Sequence, residues 1–586
     1  MAKPWTIHPL HPQAARLAQA LGVPPLVGHI LGHRGLETPE SARAFLWPTL
    51  AQLHDPSAMP GLMEAADRLV RAAQAGDPIV IYGDYDVDGI TATAILWQAL
   101  RLAGATPRIY VPHRLEEGYG LNLEAVEQLA AEGARVLVTV DCGITGLEEV
   151  ARARDLGLEV IVTDHHEPKP GRLPPAQVLV DPKLPDSSYP FRELSGAGIA
   201  LKLAWAIGQR LSRRDRVSEP FREFLVAATG LAALGTIADV VPLVGENHVL
   251  ASFGLRALAG SRQAGLAALL QTARIEDRAL EADDIGFILG PRLNAAGRLG
   301  HARDAVTLLT TADPEAATTI AKALDRQNRQ RQDLEKQILV EAEEQVARTF
   351  SPQRDAAIVL AGAGWHTGVI GIVASRLVEE YYRPTILIGI RDGQAQGSGR
   401  SIPGFPLHEA LAACEKHLSN YGGHAMAAGL RLSEEAVPRF REAFLAHAAG
   451  RLNREQLTPH LEVDAEVSLA DVSLEAARVL ERLGPFGAGN ERPVLAVRSV
   501  GITGEPRRIG RRGEHIAMHV TQGGHARRVV GWRLGELAET LARAGSCGIA
   551  FTCRVSNYRR TPEVELHLKD LWVGRYGDEG AAKEFG

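Results

Sequence analysis

Five short runs of β-branched and aliphatic residues alternate with amphipathic stretches, and this alternation constrains the fold more than any other feature. The runs are IVIY (79–82), RIYV (108–111), VLVTV (136–140), EVIVT (159–163) and QVLV (177–180). The stretches 90–103, 122–132 and 145–156 have helical periodicity and end near glycines that can cap a helix. Repeated βα units predict a parallel sheet with helices on its faces.

The chain of 586 residues is long enough for about three to five domains. Asp313-Pro314 is an N-cap followed by a first-turn proline, and no helix breaker follows until about Arg348, which predicts one long helix. We interpret its charges at Lys322, Arg326, Arg329 and Arg331 as a solvated outer face. The predicted segments are a helical lead-in (1–75), a parallel-sheet α/β catalytic domain (76–312), a connector helix (313–349), a smaller α/β domain (350–455) and an antiparallel unit (456–586), which we expect to be a five-stranded OB-type barrel.

Composition excludes several classes of protein. With 45% hydrophobic and 23% charged residues, the chain has enough apolar material for several cores. No stretch reaches the length of an uncharged membrane span, and the N-terminus lacks the apolar core of a signal peptide, so we expect a cytoplasmic protein without a membrane partner. The four cysteines lack disulfide or zinc-site spacing. A net charge of -6 excludes a uniformly basic surface, so any nucleic-acid site should be a groove.

Acidic and imidazole side chains follow three of the predicted strands. The first strand runs into Asp84, Asp86 and Asp88, the third ends at Asp141, and the fourth ends in residues 164–166, which are Asp-His-His. Ligands bind at the carboxyl ends of parallel strands, and three carboxylates within five residues repel one another unless a cation gathers them. An acidic turn that caps a helix, or a calcium-type loop, would look similar. Mixed Asp/His ligation favours Mn²⁺, Zn²⁺ or Co²⁺ over calcium.

The acidic and histidine residues at this edge of the predicted sheet indicate a type of reaction. One of the two histidines could bind a metal while the other polarises a substrate oxygen, and Asp164 could orient a ring. Asp239, in GTIADVVPL (235–243), is a further possible ligand in an irregular context. Two divalent ions bridged by carboxylates can stabilise both the attacking and the leaving oxygen of an in-line displacement. Phosphoester hydrolysis is therefore the predicted chemistry.

Four segments in order resemble the metal motifs of the DHH phosphoesterase superfamily. They are YGDYDVDGITA (82–92), VTVDCGIT (138–145), VTDHHEP (162–168) and GTIADVVPL (235–243). The resemblance implies two ions, usually Mn²⁺, with Mg²⁺ as an alternative. It implies as metal ligands Asp84, Asp86, Asp88, Asp141, His165 and Asp239, and as catalytic residues His166, Asp141 and His424.

Further segments resemble the superfamily's single-strand exonucleases and their DHH-associated second domain. They are GPRLNAAGR (290–298), GWHTGVIGIVASR (364–376), GSGRSIPGF (397–405) and GGHAMAAG (422–429). Arg292 and Arg298 in a predicted turn, and Ser398 with Arg400 in a Gly-rich loop, offer donors that fit a terminal phosphate. The resemblance assigns 5′-phosphate or backbone recognition to Arg114, Arg298, Ser398 and Arg400, with an ordinary salt bridge or turn as the alternative for each. His366 is a candidate helix cap.

Arginines cluster in the C-terminal unit although the whole chain is acidic. They are Arg507, Arg508, Arg511, Arg512, Arg527, Arg528, Arg559 and Arg560. An OB-type barrel with such a face would bind a single strand electrostatically. Trp532 and Tyr558 could stack on bases or belong to the core.

These observations favour a single-stranded-DNA-specific 5′-to-3′ exonuclease of recombination and repair, whose polarity and DNA preference come from the resemblance alone. The alternative is a DHH phosphodiesterase for short oligonucleotides or cyclic dinucleotides, although such enzymes need no additional barrel. A non-catalytic strand-binding scaffold is a third hypothesis, and the complete set of acidic and histidine positions counts against it. The chain has no GxxxxGK[ST] loop, so we expect it to depend on a helicase and a single-strand-binding protein for its single strands. We also expect a monomer.

Overall fold

The computed structural model describes residues 3–114, 116–212, 216–556 and 561–574. Within these residues the chain forms a parallel-sheet lobe, a second α/β lobe and a β-barrel, and one long helix joins the two lobes.

The N-terminal segment packs on the barrel. It comprises β1 (Trp5–Ile7), α1 (Ala14–Leu21), α2 (Pro25–His33) and α3 (Pro39–Leu46). Strand β1 pairs in parallel with residues 461–463, and Leu17 and Leu31 lie in one buried cluster with Val497 and Phe551 of the barrel. Helices α1–α3 and the barrel therefore share one hydrophobic core.

A five-stranded parallel sheet, in the order β3-β2-β4-β5-β6, forms the first lobe. Its elements are α4 (Leu62–Ala75), β2 (Ile79–Gly83), α5 (Val87–Leu102), β3 (Arg108–Tyr110), α6 (Leu123–Ala131), β4 (Val136–Val140), α7 (Leu147–Asp155), β5 (Glu159–Thr163) and β6 (Val178–Val180). The central strands β2 and β4 are buried along their whole length because helices cover both faces. The predicted parallel sheet is confirmed.

Seven helices complete the first lobe. They are α8 (Gly196–Ser212), α9 (Glu219–Ala238), α10 (Gly245–Ala259), α11 (Ala264–Ala273), the single turn α12 (Ala282–Asp284), α13 (Gly290–Leu299) and α14 (Arg303–Thr310). Among the described residues, α9 alone has the length and hydropathy of a membrane span, and more than half of its apolar window is buried inside the lobe. A buried core helix passes the same test, so this is weak evidence for a membrane.

One helix, α15 (Pro314–Thr349), runs for 36 residues between the lobes. The Asp313 side chain accepts a hydrogen bond from the Glu315 N–H, and Pro314 occupies the first turn. The interpretation of Arg331 as a solvated residue is wrong, since it is 8% exposed. Its position lies in the same stripe as Leu324 and Ile338, which faces the rest of the protein.

The second lobe is a mixed five-stranded sheet in the order β10-β11-β9-β8-β7. Its elements are β7 (Ile358–Ala363), α16 (Thr367–Tyr381), β8 (Thr385–Arg391), β9 (Gln394–Arg400), α17 (Leu407–Ala412), β10 (Asn420–Gly423), β11 (Ala427–Ser433) and α18 (Val437–Arg451). Ser398 and Arg400 lie on β9 rather than in a loop, because their backbones pair with β8 and β11 on the two sides. Helix α17 is short and is followed by a 3₁₀ turn at Glu415–His417.

A closed five-stranded barrel forms the last unit, as predicted. Its elements are β12 (Leu461–Val463), β13 (Ala465–Glu466), α19 (Leu474–Glu481), β14 (Leu495–Ile509), β15 (His515–Gln522), β16 (His525–Gly531), α20 (Ala538–Ala544), β17 (Ser546–Ser556) and β18 (Glu563–Val573). The ring runs β14-β15-β16-β18-β17 and closes through β14–β17 pairing. The run 461–469 contributes only the short strands β12 and β13 outside this ring, and the long strand β14 supplies the first barrel strand instead.

Candidate active site

The carboxyl edge of the parallel sheet collects the predicted acidic residues. Asp84 follows β2 directly, and Asp86 is the N-cap of α5, where its Oδ1 accepts hydrogen bonds from the N–H groups of Asp88 and Gly89. Helix α5 therefore begins three residues earlier than the sequence periodicity indicated, and Asp88 lies in its first turn. Asp141 follows β4 with a left-handed backbone (φ 63°), a conformation in which a non-glycine residue is strained.

The imidazole of His165 lies at the centre of this cluster. Its Nε2 is 3.0 Å from Asp141 Oδ1, 3.7 Å from Asp88 Oδ2 and 3.6 Å from Asp239 Oδ2. Asp239, whose context looked irregular in the sequence, is the C-cap of α9, which brings it to the sheet edge. The structure thus brings strand-end and helix-end ligands together at one point.

Three overlapping groups of side chains have the spacing of metal sites, with the ligand atoms of each group within 4.8 Å of one another. The groups are Asp84–Asp86–Asp141, Asp88–His165–Asp239 and Asp141–His165–His166. His165 Nε2 and Asp141 Oδ1 lie 3.0 Å apart but lack the angles of a hydrogen bond, so Asp84 Oδ1, Asp141 Oδ1 and both ring nitrogens of His165 are buried without a hydrogen-bond partner among the described residues. Buried polar atoms are normally satisfied, so these orphaned atoms and the mixed O/N donor set fit divalent cations of the Mn²⁺ type.

Burial and mutual repulsion perturb the carboxyl groups. Burial, with the neighbouring charge of Asp86, raises the pKa of Asp88 to about 7. Burial, with the charge of Asp88, raises the pKa of Asp239 to about 9. The pKa values of Asp84 and Asp141 are also raised, by burial first and by neighbouring carboxylates second. A cation among these groups would reverse the penalty on their charged forms.

The two histidines have opposite electrostatic environments. Burial, aided by the charge of His166, lowers the pKa of His165 to about 3, which leaves it in the neutral form that ligates metals. Burial alone would lower the pKa of His166, but the hydrogen bond to Asp164 and nearby carboxylate charges raise it to about 9. The hydrogen bond to Asp164 therefore favours the protonated form of His166.

Asp164 fixes the positions of the two histidines that follow it. Its Oδ1 lies 2.7 Å from His166 Nδ1 and accepts a hydrogen bond from the His165 N–H at 2.8 Å, while its Oδ2 accepts one from the Ile144 N–H at 2.9 Å. Burial alone would raise the pKa of Asp164, but these donors and the histidine charges lower it. Asp164 thus orients the ring, as the sequence suggested. Tyr119, which sequence reasoning missed, places its hydroxyl 3.0 Å from the same His166 Nδ1.

The N-terminus of α8 supports two candidate ligands, and sequence reasoning assigned it no role. The N–H groups of Gly196 and Ala197 donate to Asp88 at 2.6 and 2.9 Å. A Cβ at residue 196 would lie 2.6 Å from Asp141 Cβ, and one at Gly235 would lie 2.4 Å from Asp88 Oδ1. The sequence GAG (196–198) at the start of an apolar helix was the available signal.

Three arginines from separate elements lie beside the acidic cluster. Arg298 on α13 donates through Nη1 to the Gly368 carbonyl at 2.7 Å. Arg400 on β9 donates through Nη1 to Ser398 Oγ at 3.2 Å, and the Arg114 guanidinium lies 4.8 Å from the centre of the Tyr85 ring.

We call Arg114, Arg298, Arg400 and Ser398 the arginine pocket. None of its arginines forms an ion pair with a carboxylate in the part of the chain that the structure describes. Burial, with repulsion from Arg114 and other arginines, lowers the pKa of Arg298 to about 9. Half-buried arginines without a carboxylate partner among the described residues favour an anionic ligand.

Other predicted residues lie elsewhere. Arg292 and Arg298 are on α13 rather than in a turn, because Pro291 starts the helix and its apolar face is buried. Arg292 is engaged by Asp325 (Nε–Oδ1 3.0 Å) and by the Ile288 carbonyl. His424 is exposed in the turn between β10 and β11 on the second lobe. His366 caps α16, as expected, by accepting a hydrogen bond from the Gly368 N–H.

The barrel arginines divide into two sets. Arg507, Arg508, Arg511 and Arg512 are exposed along the end of β14 and the turn after it. By contrast, Arg527 donates to the carbonyls of Leu469 and Val472, and Arg528 pairs with Glu565.

Residues Tyr558, Arg559 and Arg560 lie outside the described residues. Trp532 is 55% exposed, and the rings of His515 and His567 lie edge-on to it. This orientation suits a base-stacking surface better than a core residue.

Three family models match the chain. The DHH family N-terminal domain matches residues 78–235, the DHHA1 domain matches 354–449, and the RecJ OB domain matches 463–570.

Relatives match over most of their length. "Single-stranded-DNA-specific exonuclease RecJ" of Bacillus subtilis is 38% identical over 98% of this chain and 71% of its own. The protein of the same name from Thermus thermophilus is 38% identical over 91% of this chain and 74% of its own. The crystal structure of RecJ in complex with Mn²⁺ from Thermus thermophilus superposes with a TM-score of 0.81 at 33% identity, covering 97% of this chain and 79% of that one. A second structure, of exonuclease RecJ bound to manganese, has a TM-score of 0.59 at 39% identity and covers 69% of this chain and 97% of that one.

The order of the three matched domains, the identity over nearly the whole chain and the shared three-dimensional structure agree with one another. The chain belongs to the RecJ family of single-stranded-DNA-specific exonucleases, within the DHH phosphoesterases.

Proposed function

We propose that the chain is a metal-dependent exonuclease that removes mononucleotides from the 5′ end of single-stranded DNA. The observation that carries this proposal is one juxtaposition: buried carboxylate and imidazole atoms without hydrogen-bond partners lie next to arginines without carboxylate partners. The first set fits divalent cations, and the second fits phosphate oxygens.

Two ions, Mn²⁺ or Mg²⁺, would be held by the strand-end and helix-end groups. The proposed ligands are Asp84, Asp86, Asp88, Asp141, His165 and Asp239. When bound, such a pair neutralises charge on the attacking and leaving oxygens of an in-line phosphoryl displacement. Asp141 and His165 each belong to two of the three clusters, so both would contribute where the candidate ligand sets overlap.

The arginine pocket accounts for an end-specific cut. Helix α13 contacts the catalytic motif directly, since a Cβ at Gly297 would lie 2.8 Å from the Tyr85 carbonyl, and Tyr85 separates Asp84 from Asp86. A terminal 5′-phosphate bound by Arg114, Arg298, Arg400 and Ser398 would therefore present the next phosphodiester to the carboxylates. That arrangement releases one nucleotide at a time from the 5′ end.

His166 and His424 have proposed roles at the reacting phosphate. Asp164 orients the His166 ring and favours its protonated form, so this ring can stabilise the negative charge that develops on the phosphate. His424 lies on the second lobe, and we assign it a contact near the same phosphate on the strength of the family resemblance alone.

The barrel would bind the strand beyond the site. Its exposed arginines, Arg507, Arg508, Arg511 and Arg512, can contact backbone phosphates, and Trp532 can stack on a base. We further propose that the enzyme acts as a monomer in the cytoplasm, in recombination and repair, on single strands supplied by a helicase and a single-strand-binding protein.

The test is digestion of a long single-stranded DNA and of its duplex with Mn²⁺, using substrates labelled at either the 5′ or the 3′ end. Wild type should release the 5′ label first as a mononucleotide and shorten the 3′-labelled strand gradually, and it should leave the duplex intact. Asp141→Ala should abolish release, whereas Asp155→Ala should retain it, because Asp155 is an exposed carboxylate at the end of α7.

Two outcomes would overturn the proposal. Release of the 3′ label first would reverse the assignment of the arginine pocket. Cleavage of a dinucleotide or a cyclic dinucleotide with no digestion of the long strand would identify a phosphodiesterase for small substrates instead.

A further inference from the structure

Helix α16 forms one wall of the arginine pocket. The Gly368 carbonyl accepts the hydrogen bond from Arg298. Gly371 lies so close to the pocket that a Cβ there would be 2.8 Å from Ser398 Oγ and 3.0 Å from Arg400 Nη2. A shift of α16 along its axis would therefore move the Gly368 carbonyl that Arg298 contacts and the backbone at Gly371 that Arg400 packs against.

Helix α16 rests on the connector helix α15 through an apolar cluster. This cluster includes Ile338 and Ala342 of α15 and Val369 and Val373 of α16. Apolar burial is non-directional, so it holds the helices together without fixing how far one has slid along the other.

An ion pair between a half-exposed arginine of α16 and a buried glutamate of α15 adds a directional contact between the two helices. Arg376 Nη2 on α16 lies 2.5 Å from Glu335 Oε1 on α15, and Glu335 is 2% exposed. The other carboxylate oxygen of Glu335 accepts a hydrogen bond at 2.7 Å from Arg331, which also donates to Asn328 Oδ1 at 2.6 Å. Buried ion pairs contribute little net stability, and their best-attested role is to specify register.

We propose that Glu335 and Arg376 are positioning residues for 5′-phosphate recognition. Their ion pair sets the register of α16 on α15, and α16 in turn places Arg298 and Arg400 for the terminal phosphate. Arg376 lies eight residues, or about 12 Å of helix, beyond Gly368. This inference rests on the proposed function, because it concerns the pocket that the proposed function assigns to the 5′ end.

A purely electrostatic role for the same residues predicts a different pattern. Removing Glu335 would make the surroundings of the pocket more positive and tighten phosphate binding, whereas removing Arg376 would weaken it. A positioning role predicts that both changes weaken recognition, because each breaks the same contact.

The experiment compares Glu335→Gln, Arg376→Gln and the double variant by steady-state kinetics on one single-stranded DNA with either a 5′-phosphate or a 5′-hydroxyl. The preference is the KM for the hydroxyl strand divided by the KM for the phosphorylated strand. Both single variants should lower the preference on the order of tenfold, with kcat on the hydroxyl strand retained. The double variant should resemble the singles, because the contact can be lost only once.

Glu344→Gln is the matched control. It removes the same charge from α15 at an exposed position, where Glu344 pairs only weakly with Arg348 (3.8 Å), and it should keep the wild-type preference. Arg376 is half-exposed, so Arg376→Gln should fold even if Glu335→Gln, which leaves Arg331 buried without its partner, does not.

The outcomes separate the two proposals. Wild type that does not digest the strand, or that ignores the 5′-phosphate, contradicts the proposed function. Wild type that prefers the phosphate, with unchanged preference in Arg376→Gln or with opposite shifts in the two single variants, contradicts the positioning role alone.

Discussion

The substitution Gly196→Ala tests the metal centre without removing any ligand. Gly196 lies between two proposed ligands: its N–H donates to Asp88 Oδ2 at 2.6 Å, and its Cα packs against Asp141. An added Cβ would lie 2.6 Å from Asp141 Cβ and 2.7 Å from Asp141 Oδ1. Relaxed non-bonded carbons are about 3.5–4.0 Å apart, so roughly 1 Å must be recovered by moving α8 or Asp141.

Either movement displaces a ligand. Misplacement by about 1 Å costs on the order of 10²-fold in rate, equivalent to about 2.7 kcal/mol of transition-state stabilisation. Overpacking should also lower the free energy of unfolding by about 1–3 kcal/mol. We therefore expect Gly196→Ala to fold, to bind Mn²⁺ more weakly in calorimetric titration and to digest single-stranded DNA about 10²-fold more slowly at saturating Mn²⁺.

Gly198→Ala is the control on the same helix. A Cβ at Gly198 would lie 3.1 Å from Leu194 Cδ2, the end of a flexible side chain, and would touch neither ligand. It should stay close to wild type in Mn²⁺ affinity and in rate. Wild-type affinity and rate in Gly196→Ala would refute the reasoning, because Asp141 would then not need the position that the structure gives it.

Three further predictions concern metal, pH and strand binding. Mn²⁺ at about 100 times its Kd should raise the free energy of unfolding by about 2.7 kcal/mol, and a thermal melt of Asp141→Ala that still shows this stabilisation would contradict the ligand assignment. Burial raises the pKa of Asp181 from 3.8 to about 8, so the folded chain keeps a proton that the unfolded chain releases, and this contribution to stability falls as pH rises between those values. In EDTA, the urea midpoint of Asp181→Asn minus that of wild type should accordingly increase from about pH 5 to about pH 8. A difference that stays constant with pH would exclude a contribution of Asp181 protonation to stability. Trp532→Ala should weaken binding of a long single strand by about 1–3 kcal/mol in fluorescence anisotropy while Trp532→Phe binds nearly normally, and equal affinities for all three proteins would mean that no base stacks there.

Most candidate ligands could be predicted from the sequence because they come just after predicted parallel strands. Strands read as short β-branched runs, and parallel strands end at one edge of a sheet. Asp84 and Asp141 come directly after two of the strands, and His165 is the second residue after a third. Asp239 did not follow from this rule, because it reaches the edge from the end of a helix. Only the family motif indicated it.

The supporting residues could not be predicted in this way. That Gly196 must lack a side chain depends on how α8 approaches α5 and β4, which local sequence does not encode. Arg331 and Glu335 are different, since they continue the buried stripe formed by Leu324, Asn328 and Ile338 at alternating spacings of four and three. The charge of Arg331 suggested a solvated face, whereas the periodicity of both residues predicts that they are buried.

The shared core of the N-terminal segment and the barrel has a consequence for biosynthesis. Leu17 and Leu31 emerge from the ribosome long before Val497 and Phe551, which belong to the same buried cluster. The two α/β lobes form from contacts nearer in sequence and can fold while translation continues, whereas helices α1–α3 must wait with exposed apolar faces until the barrel strands are made. The slowest step in maturation should therefore be the docking of the first 46 residues, and a chain that lacks them should carry an uncovered, aggregation-prone barrel.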